Sequence, residues 1–140
     1  MCIRDRGSFA PTGVAWGIDN RTCALRVVGS GSGLRVENRV PGGDVNPYLA
    51  ISAIIAGGLH GIENELPLPE RFTGNAYEAG VDHLPTTLRE AAKLFSESTI
   101  ARAAFGDDVV EHYLNQARIE VEAYDAAVTD WERIRGFERL

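Results

Sequence analysis

All six prolines of this 140-residue chain lie before residue 86, and thirteen of its fifteen glycines lie before residue 81. Glycine and proline interrupt helices, one by backbone freedom and the other by a missing N–H. Everything after Pro85 is therefore open to long helices, while the front must be built from strands, turns and irregular connections. The expected class is α+β, with a β-hairpin followed by packed helices.

In the front, Asn20 to Val28 and Leu34 to Val40 are strand-length runs rich in β-branched or apolar residues, separated by Gly29-Ser30-Gly31-Ser32-Gly33. This pattern predicts a hairpin. The glycine spacing looks superficially like a nucleotide-binding loop, but such a loop must open a helix, and Leu34 to Val40 alternates with period two. A dinucleotide fold is excluded on that ground. Asn46 can cap a helix with Pro47 in its first turn, and the apolar run from Leu49 to Leu59 predicts a helix buried on more than one side. Pro67 to Pro85 reads as an irregular connection running over a surface.

In the back, Thr87 with Glu90 and Asp108 with Glu111 have capping-box spacing, and Gly106 ends a short helix between them. From Val110, apolar residues at Tyr113, Leu114, Ala117, Val121, Tyr124, Val128 and Trp131 predict one continuous long helix. Its charged residues read as a solvated face and carry no chemistry.

The net charge of −6 gives no general attraction to phosphate backbones or anionic lipid, so neither nucleic-acid nor membrane partners are expected. An apolar fraction of 44% suffices for a core. Two cysteines, Cys2 and Cys23, make neither a disulfide framework nor a zinc pattern, which suits a reducing compartment and the cytoplasm. The apolar run from Tyr48 to Leu59 is shorter than the ~20 residues a spanning helix needs. The opening MCIRDRGS is charged where a signal peptide is apolar. Residues 1–7 are read as a non-native scar or translation artefact, and residues 8–140 as the domain proper.

The most informative stretch is LRVENRV, Leu34 to Val40. Alternation puts Leu34, Val36, Asn38 and Val40 on a core face, and Arg35, Glu37 and Arg39 on the other. An exposed ladder of self-paired charges explains this blandly and is worth about 0–1 kcal/mol. Arginine usage points elsewhere. Only Lys93 of the 14 basic residues is a lysine, and the two predicted strands carry Arg21, Arg26, Arg35 and Arg39. Guanidinium forks suit carboxylate and phosphate oxygens. Four of them beside one carboxylate would suit an anionic, metal-bound substrate, with Glu37 on Mg²⁺ and the arginines neutralising phosphate, as phosphoryl transfer requires. His60, His83 and His112 lack metal-ligand spacing, and no serine sits in a nucleophile elbow.

Three stretches together, NRTCALR (Asn20 to Arg26), RVENRVPG (Arg35 to Gly42) and DVNPYLAISAIIAGGLHGI (Asp44 to Ile62), resemble the C-terminal part of the glutamine synthetase catalytic domain. FAPTGVAWGIDNRT and the late TDWERIRGFERL are closer to the relatives that join glutamate to organic amines, such as gamma-glutamylputrescine synthetases. The resemblance implies a hairpin belonging to a larger antiparallel sheet, a cytoplasmic homo-oligomer of dodecamer type, and roles in nitrogen or polyamine metabolism. It implies ATP as co-substrate and Mg²⁺ or Mn²⁺ as cofactor, with Glu37 matching a metal ligand. Arg21 matches the arginine on the γ-phosphate that stabilises the transferring group, so it counts as catalytic, ATP-binding and substrate-binding. Arg26 and Arg35 match arginines of the ATP side, and Arg39 matches one that holds glutamate. The implied reaction phosphorylates the γ-carboxylate of glutamate, and ammonia or a small organic amine then displaces phosphate.

Two departures from the family's pattern stand out. Phe9 occupies the place before Ala10-Pro11 where ammonia-using members have a glutamate, which favours an amine carrying carbon. Ser32 stands where many members have a lysine near ATP. The family's N-terminal β-grasp domain and its other metal ligands have no counterpart here, so the chain is expected to be inactive and poorly folded alone. An ammonia-using synthetase and a non-catalytic structural relative are the alternatives.

Overall fold

The computed structural model describes residues 10–137 and 139; residues 1–7, Cys2 and Phe9, which carry expectations above, lie outside the described residues. The chain divides into two compact units between Thr86 and Thr87. The first holds all the strands: β1 (Trp16–Ile18), β2 (Leu25–Val28) and β3 (Arg35–Asn38), followed by α1 (Pro47–Glu63). The second holds α2 (Leu88–Glu97), α3 (Thr99–Phe105), α4 (Asp107–Ala126) and α5 (Asp130–Phe137).

The hairpin forms as expected, with β2 antiparallel to β3 and Arg26 directly opposite Glu37. Its first strand is shorter than the sequence indicates. Asn20 to Ala24 is a turn, because the Asn20 carboxamide oxygen accepts from the Thr22 N–H (3.0 Å) and from the Thr22 hydroxyl (2.7 Å). Such an Asx-type turn competes with strand pairing. Arg21 therefore sits in a turn and not on the strand beside Arg26. The sequence also conceals β1, which pairs parallel to β2 with Trp16 opposite Leu25. Parallel neighbours normally need a crossover of a dozen residues or more. Here residues 19–24 double the chain back, starting from Asp19 at φ 49°. That is the left-handed region, which Asp tolerates better than most side chains.

The connection before Pro85 is irregular and mostly exposed, as the sequence indicates, but it is anchored. A single 3₁₀ turn, Ala76–Glu78, buries Ala76 and Tyr77, and these join Pro11, Cys23 and Ala24 in the small core of the first unit. Burial raises the Cys23 thiol pKa, against a smaller lowering by its hydrogen bond with Thr22. Four hydrogen bonds tie this connection to β1 and to the turn that follows it. The Trp16 indole N–H donates to the Pro69 carbonyl (2.7 Å) and the Phe72 N–H to the Trp16 carbonyl (2.9 Å). The Asn20 side-chain amide donates to the Gly74 carbonyl (2.9 Å), and the Ala76 N–H to the Thr22 hydroxyl (2.9 Å). Gly17 makes this approach possible: a Cβ there would stand 2.9 Å from the Phe72 carbonyl oxygen and 3.2 Å from the Cys23 sulfur.

Two expectations about burial fail. Asn46 caps α1 as read, accepting from the Tyr48 and Leu49 N–H groups, but no residue of α1 is buried. Likewise Leu34 and Val36, placed on a core face, are 61% and 62% exposed. The pattern is that of buried elements, and the described residues supply no cover for them. No helix among the described residues is long and apolar enough to cross a membrane.

In the second unit the Thr87–Glu90 capping box is complete. Ser98 caps α3 by accepting from the Ala101 N–H, and Gly106 closes it onto the Arg102 carbonyl. The second expected box does not form. α4 starts at Asp107, and Arg102 takes both Asp107 and Glu111 at 2.7 Å, so Glu111 has no role at Asp108. The continuous long helix is also corrected, because it ends at Ala126. Thr129 opens α5 with its own pair of contacts: its N–H donates to Glu132 Oε2 (2.7 Å) and its hydroxyl accepts from the Glu132 N–H (3.3 Å). That reciprocal exchange is a capping box. Val110 is completely buried, and α2 and α3 both pack on α4.

Candidate functional site

The hairpin register sets the centre of the site. Opposed residues of an antiparallel pair put their side chains on the same face, so Arg26 and Glu37 meet across β2 and β3 while Arg35 and Arg39 flank Glu37 along its own chain. Glu37 Oε2 accepts from Arg26 at 2.9 Å and Oε1 from Arg35 at 3.2 Å, and the Arg39 guanidinium lies 3.9 Å from Oε2. Arg26 is the hub. Its guanidinium also grips Asp19, just after β1, in a short charge-assisted contact with Oδ1.

These contacts fix the protonation states. The Arg26 hydrogen bond chiefly, helped by the charges of Arg26 and Arg35, holds the Glu37 carboxyl below the usual carboxylate range against the opposing effect of burial. Arg26 is raised above its ordinary value, chiefly by Asp19 and next by Glu37. The result is an ionised carboxylate in a ring of permanent cations. Such a ring presents N–H forks to an anion and one hard oxygen donor to a cation.

Glu37 has the right chemistry for Mg²⁺ or Mn²⁺, but it does not make a metal site alone. Among the described residues no three His, Cys, Asp or Glu side chains are grouped to hold a metal, and both Glu37 oxygens are engaged by arginines. The chain's own residues fit one ligand of a shared site and no more.

Arg21, expected beside Arg26, is not among the contacts of Glu37. The turn at Asn20 to Ala24 carries it to an open cavity of about 640 Å³, lined by Ile18, Asp19, Thr22, Arg71 and Phe72 among others. Sequence reasoning missed two residues here. Asp19 carries a signal, since an Asp-Asn pair directly after a short apolar run is turn chemistry. Arg71 carries none, because it reaches Arg21 only through hydrogen bonds spanning more than fifty residues of sequence.

With this geometry in place, the sequence pattern described as "Glutamine synthetase, catalytic domain" matches residues 5–135. The chain belongs to the glutamine synthetase family. A gamma-glutamylethanolamide synthetase of Streptomyces coelicolor is 69% identical over 134 residues, which cover 96% of this chain and 29% of that protein. A glutamate–isopropylamine ligase of a Pseudomonas species is 43% identical over 91% of this chain and 29% of its own length. A type-1 glutamine synthetase 2 of Dictyostelium discoideum is 41% identical over 94% of this chain and 26% of its own length. The chain thus spans less than a third of the curated relatives it matches. Membership in the family agrees with the α+β arrangement of hairpin and helices.

Proposed function

We propose that this chain is the C-terminal catalytic portion, residues 8–140, of an ATP-dependent ligase that joins the γ-carboxylate of glutamate to a small organic amine. The observation that carries the reading is the Arg26–Glu37–Arg35–Arg39 cluster at the hairpin of a glutamine synthetase family member. ATP phosphorylates the γ-carboxylate, and the amine nitrogen then attacks the acyl phosphate and expels inorganic phosphate. The phosphoryl-transfer step asks the protein for positioning and charge neutralisation, which permanent cations supply, while the amide-forming step also sheds a proton from the attacking nitrogen. Arg26 and Arg35 hold ATP, Arg39 holds glutamate, and Arg21 neutralises the transferring phosphoryl group as catalytic, nucleotide-binding and substrate-binding residue. Glu37 contributes one oxygen ligand to Mg²⁺ or Mn²⁺, and the remaining ligands come from outside this chain.

The acceptor reading rests on the 69% identity to an ethanolamide-forming relative against 41% to the Dictyostelium glutamine synthetase. The apolar Phe9 side chain, in place of a carboxylate, supports it. The exposed apolar faces of α1 and β3 fit a longer, homo-oligomeric cytoplasmic protein in which they are covered. The 140 residues alone are inactive on this reading. Glutamate-dependent ADP release by the intact enzyme, compared across ethanolamine, isopropylamine, putrescine and ammonium, tests it. Turnover highest with ammonium makes the enzyme an ordinary glutamine synthetase, and no turnover with any acceptor makes it a non-catalytic relative.

A further inference from the structure

The cavity at the β1–β2 turn contains two guanidiniums, and the function proposed above uses only one. Arg21 comes from the turn itself and Arg71 from the connection fifty residues later; both are exposed and line the same space. Neither takes part in an ion pair or hydrogen bond among the described residues. This sets them apart from the arginines of the hairpin. The one carboxylate that lines the cavity, Asp19, is already neutralised by Arg26.

Their proximity is built into the fold. The connection is held to β1 and the turn on both sides of Arg71, by Trp16 to Pro69 and Phe72 before it reaches Asn20 to Gly74 and Thr22 to Ala76. Gly17 lets the two backbones close to a distance that any side chain would block. A fold that uses four long-range hydrogen bonds to hold the segments bearing two unpaired cations at one cavity has preorganised a site for an anion.

Charge and geometry narrow the anion. One guanidinium fork saturates a carboxylate, which has a single charge and two oxygens. Two forks lining one cavity suit a tetrahedral dianion with three or four acceptor oxygens. Thr73 also lines the cavity, and its hydroxyl is an additional donor type.

We infer that Arg71 is a second phosphate-binding residue, closing with Arg21 on the phosphoryl group as it is transferred and, after the amine attacks, on the inorganic phosphate released. The ligase reading supplies only the identity of the anion; the paired cations stand without it.

The test uses the intact enzyme that carries this chain, with inorganic phosphate as the probe. Phosphate binding is followed by calorimetry, and phosphate inhibition is followed in glutamate-dependent ADP release. Arg71→Ala is expected to weaken both about tenfold, the scale of one lost charge-assisted contact. Arg71→Lys should recover part of the loss through charge alone. Arg71→Gln, which keeps much of the length of the side chain, should behave as Arg71→Ala. Arg89→Ala, in the second unit, should leave both readouts unchanged. Phosphate binding by Arg71→Ala and Arg71→Gln at wild-type strength would overturn the assignment even if ligase turnover is robust. Arg71-dependent phosphate binding in an enzyme with no ATP turnover would uphold the anion site and dismiss the ligase reading.

Discussion

The two units hold themselves together in opposite ways. In residues 87–137 most polar fixing contacts are local, with caps three residues apart at Thr87, Ser98 and Thr129 and ion pairs such as Arg118 to Glu122; the Arg89–Asp125 pair, thirty-six residues apart, is the exception. In residues 10–86 the decisive contacts span from eleven residues, at Arg26–Glu37, to seventy-one, at Thr12–His83. The lesson is that capped helices are specified by near neighbours, whereas the first unit brings its charges together by pairing strands and anchoring a turn from a distance.

The largest effect expected from this contrast is on catalysis in the first unit. Glu37→Gln in the intact enzyme keeps the shape and removes the charge, so phosphoryl transfer should fall at least about a hundredfold with the fold retained. Arg39→Lys should act mainly on glutamate use and spare ATP binding, since the charge stays and the fork is lost. An unchanged glutamate-dependent ATP turnover in Glu37→Gln would reduce the cluster to an exposed salt-bridge ladder.

Next in size are two packing changes, one per unit. Gly17→Val forces a side chain against the Phe72 carbonyl. It should cost about 1–3 kcal/mol, with loss of protection at the Phe72 amide in hydrogen exchange. Val110→Ala opens a cavity in the fully buried centre of the helical unit. Two buried methyl groups are lost with incomplete collapse around them, which should cost about 1.5–3 kcal/mol by denaturant unfolding. If Gly17→Val also exposed amides throughout α4, the two units would not be independent. Smaller still is Thr87→Ala, which removes the capping box of α2. The loss should be about 1 kcal/mol, read as fraying of that helix's first turn.

Acid titration separates the units by mechanism. Glu37 and Glu132 are both held below the ordinary carboxylate value, Glu37 chiefly by the Arg26 hydrogen bond and Glu132 by the Thr129 backbone N–H. A depressed folded-state value means each stabilises the fold above the unfolded carboxylate pKa, with that contribution lost as pH falls through the folded value. Added salt should move the Glu37 titration, followed by NMR, back toward the ordinary value, while Glu132 responds less because its partner is a dipole. Equal salt responses would contradict the assigned causes.

The same contrast explains what is legible in the sequence. The Thr87 box, the Asn46 cap and the Arg26–Glu37 face can be read because the residues that decide them are adjacent or related by strand alternation. The break at Ala127 escapes such a reading because apolar spacing continues smoothly to Trp131, and only the Thr129–Glu132 box ends it. β1 and the burial of Tyr77 are illegible in principle, since a three-residue strand gains its outer partner only when the chain returns at Phe72. The exposure of α1 reverses the usual inference: its composition describes an environment that the described residues do not provide.

The bonds from Trp16 to Phe72 and from Thr22 to Ala76 also set a timetable for synthesis. At about 5–20 residues per second, a ribosome needs roughly 3–10 s to make the intervening stretch. Throughout that interval β1 lacks its outer partner and the apolar helix α1 is emerging, whereas each helix of the second unit can form within about a microsecond of its own completion. The unit that carries the Arg26–Glu37 cluster is therefore the slow one, and a nascent chain stalled before Phe72 would present an exposed strand edge and a bare apolar helix to whatever it meets first.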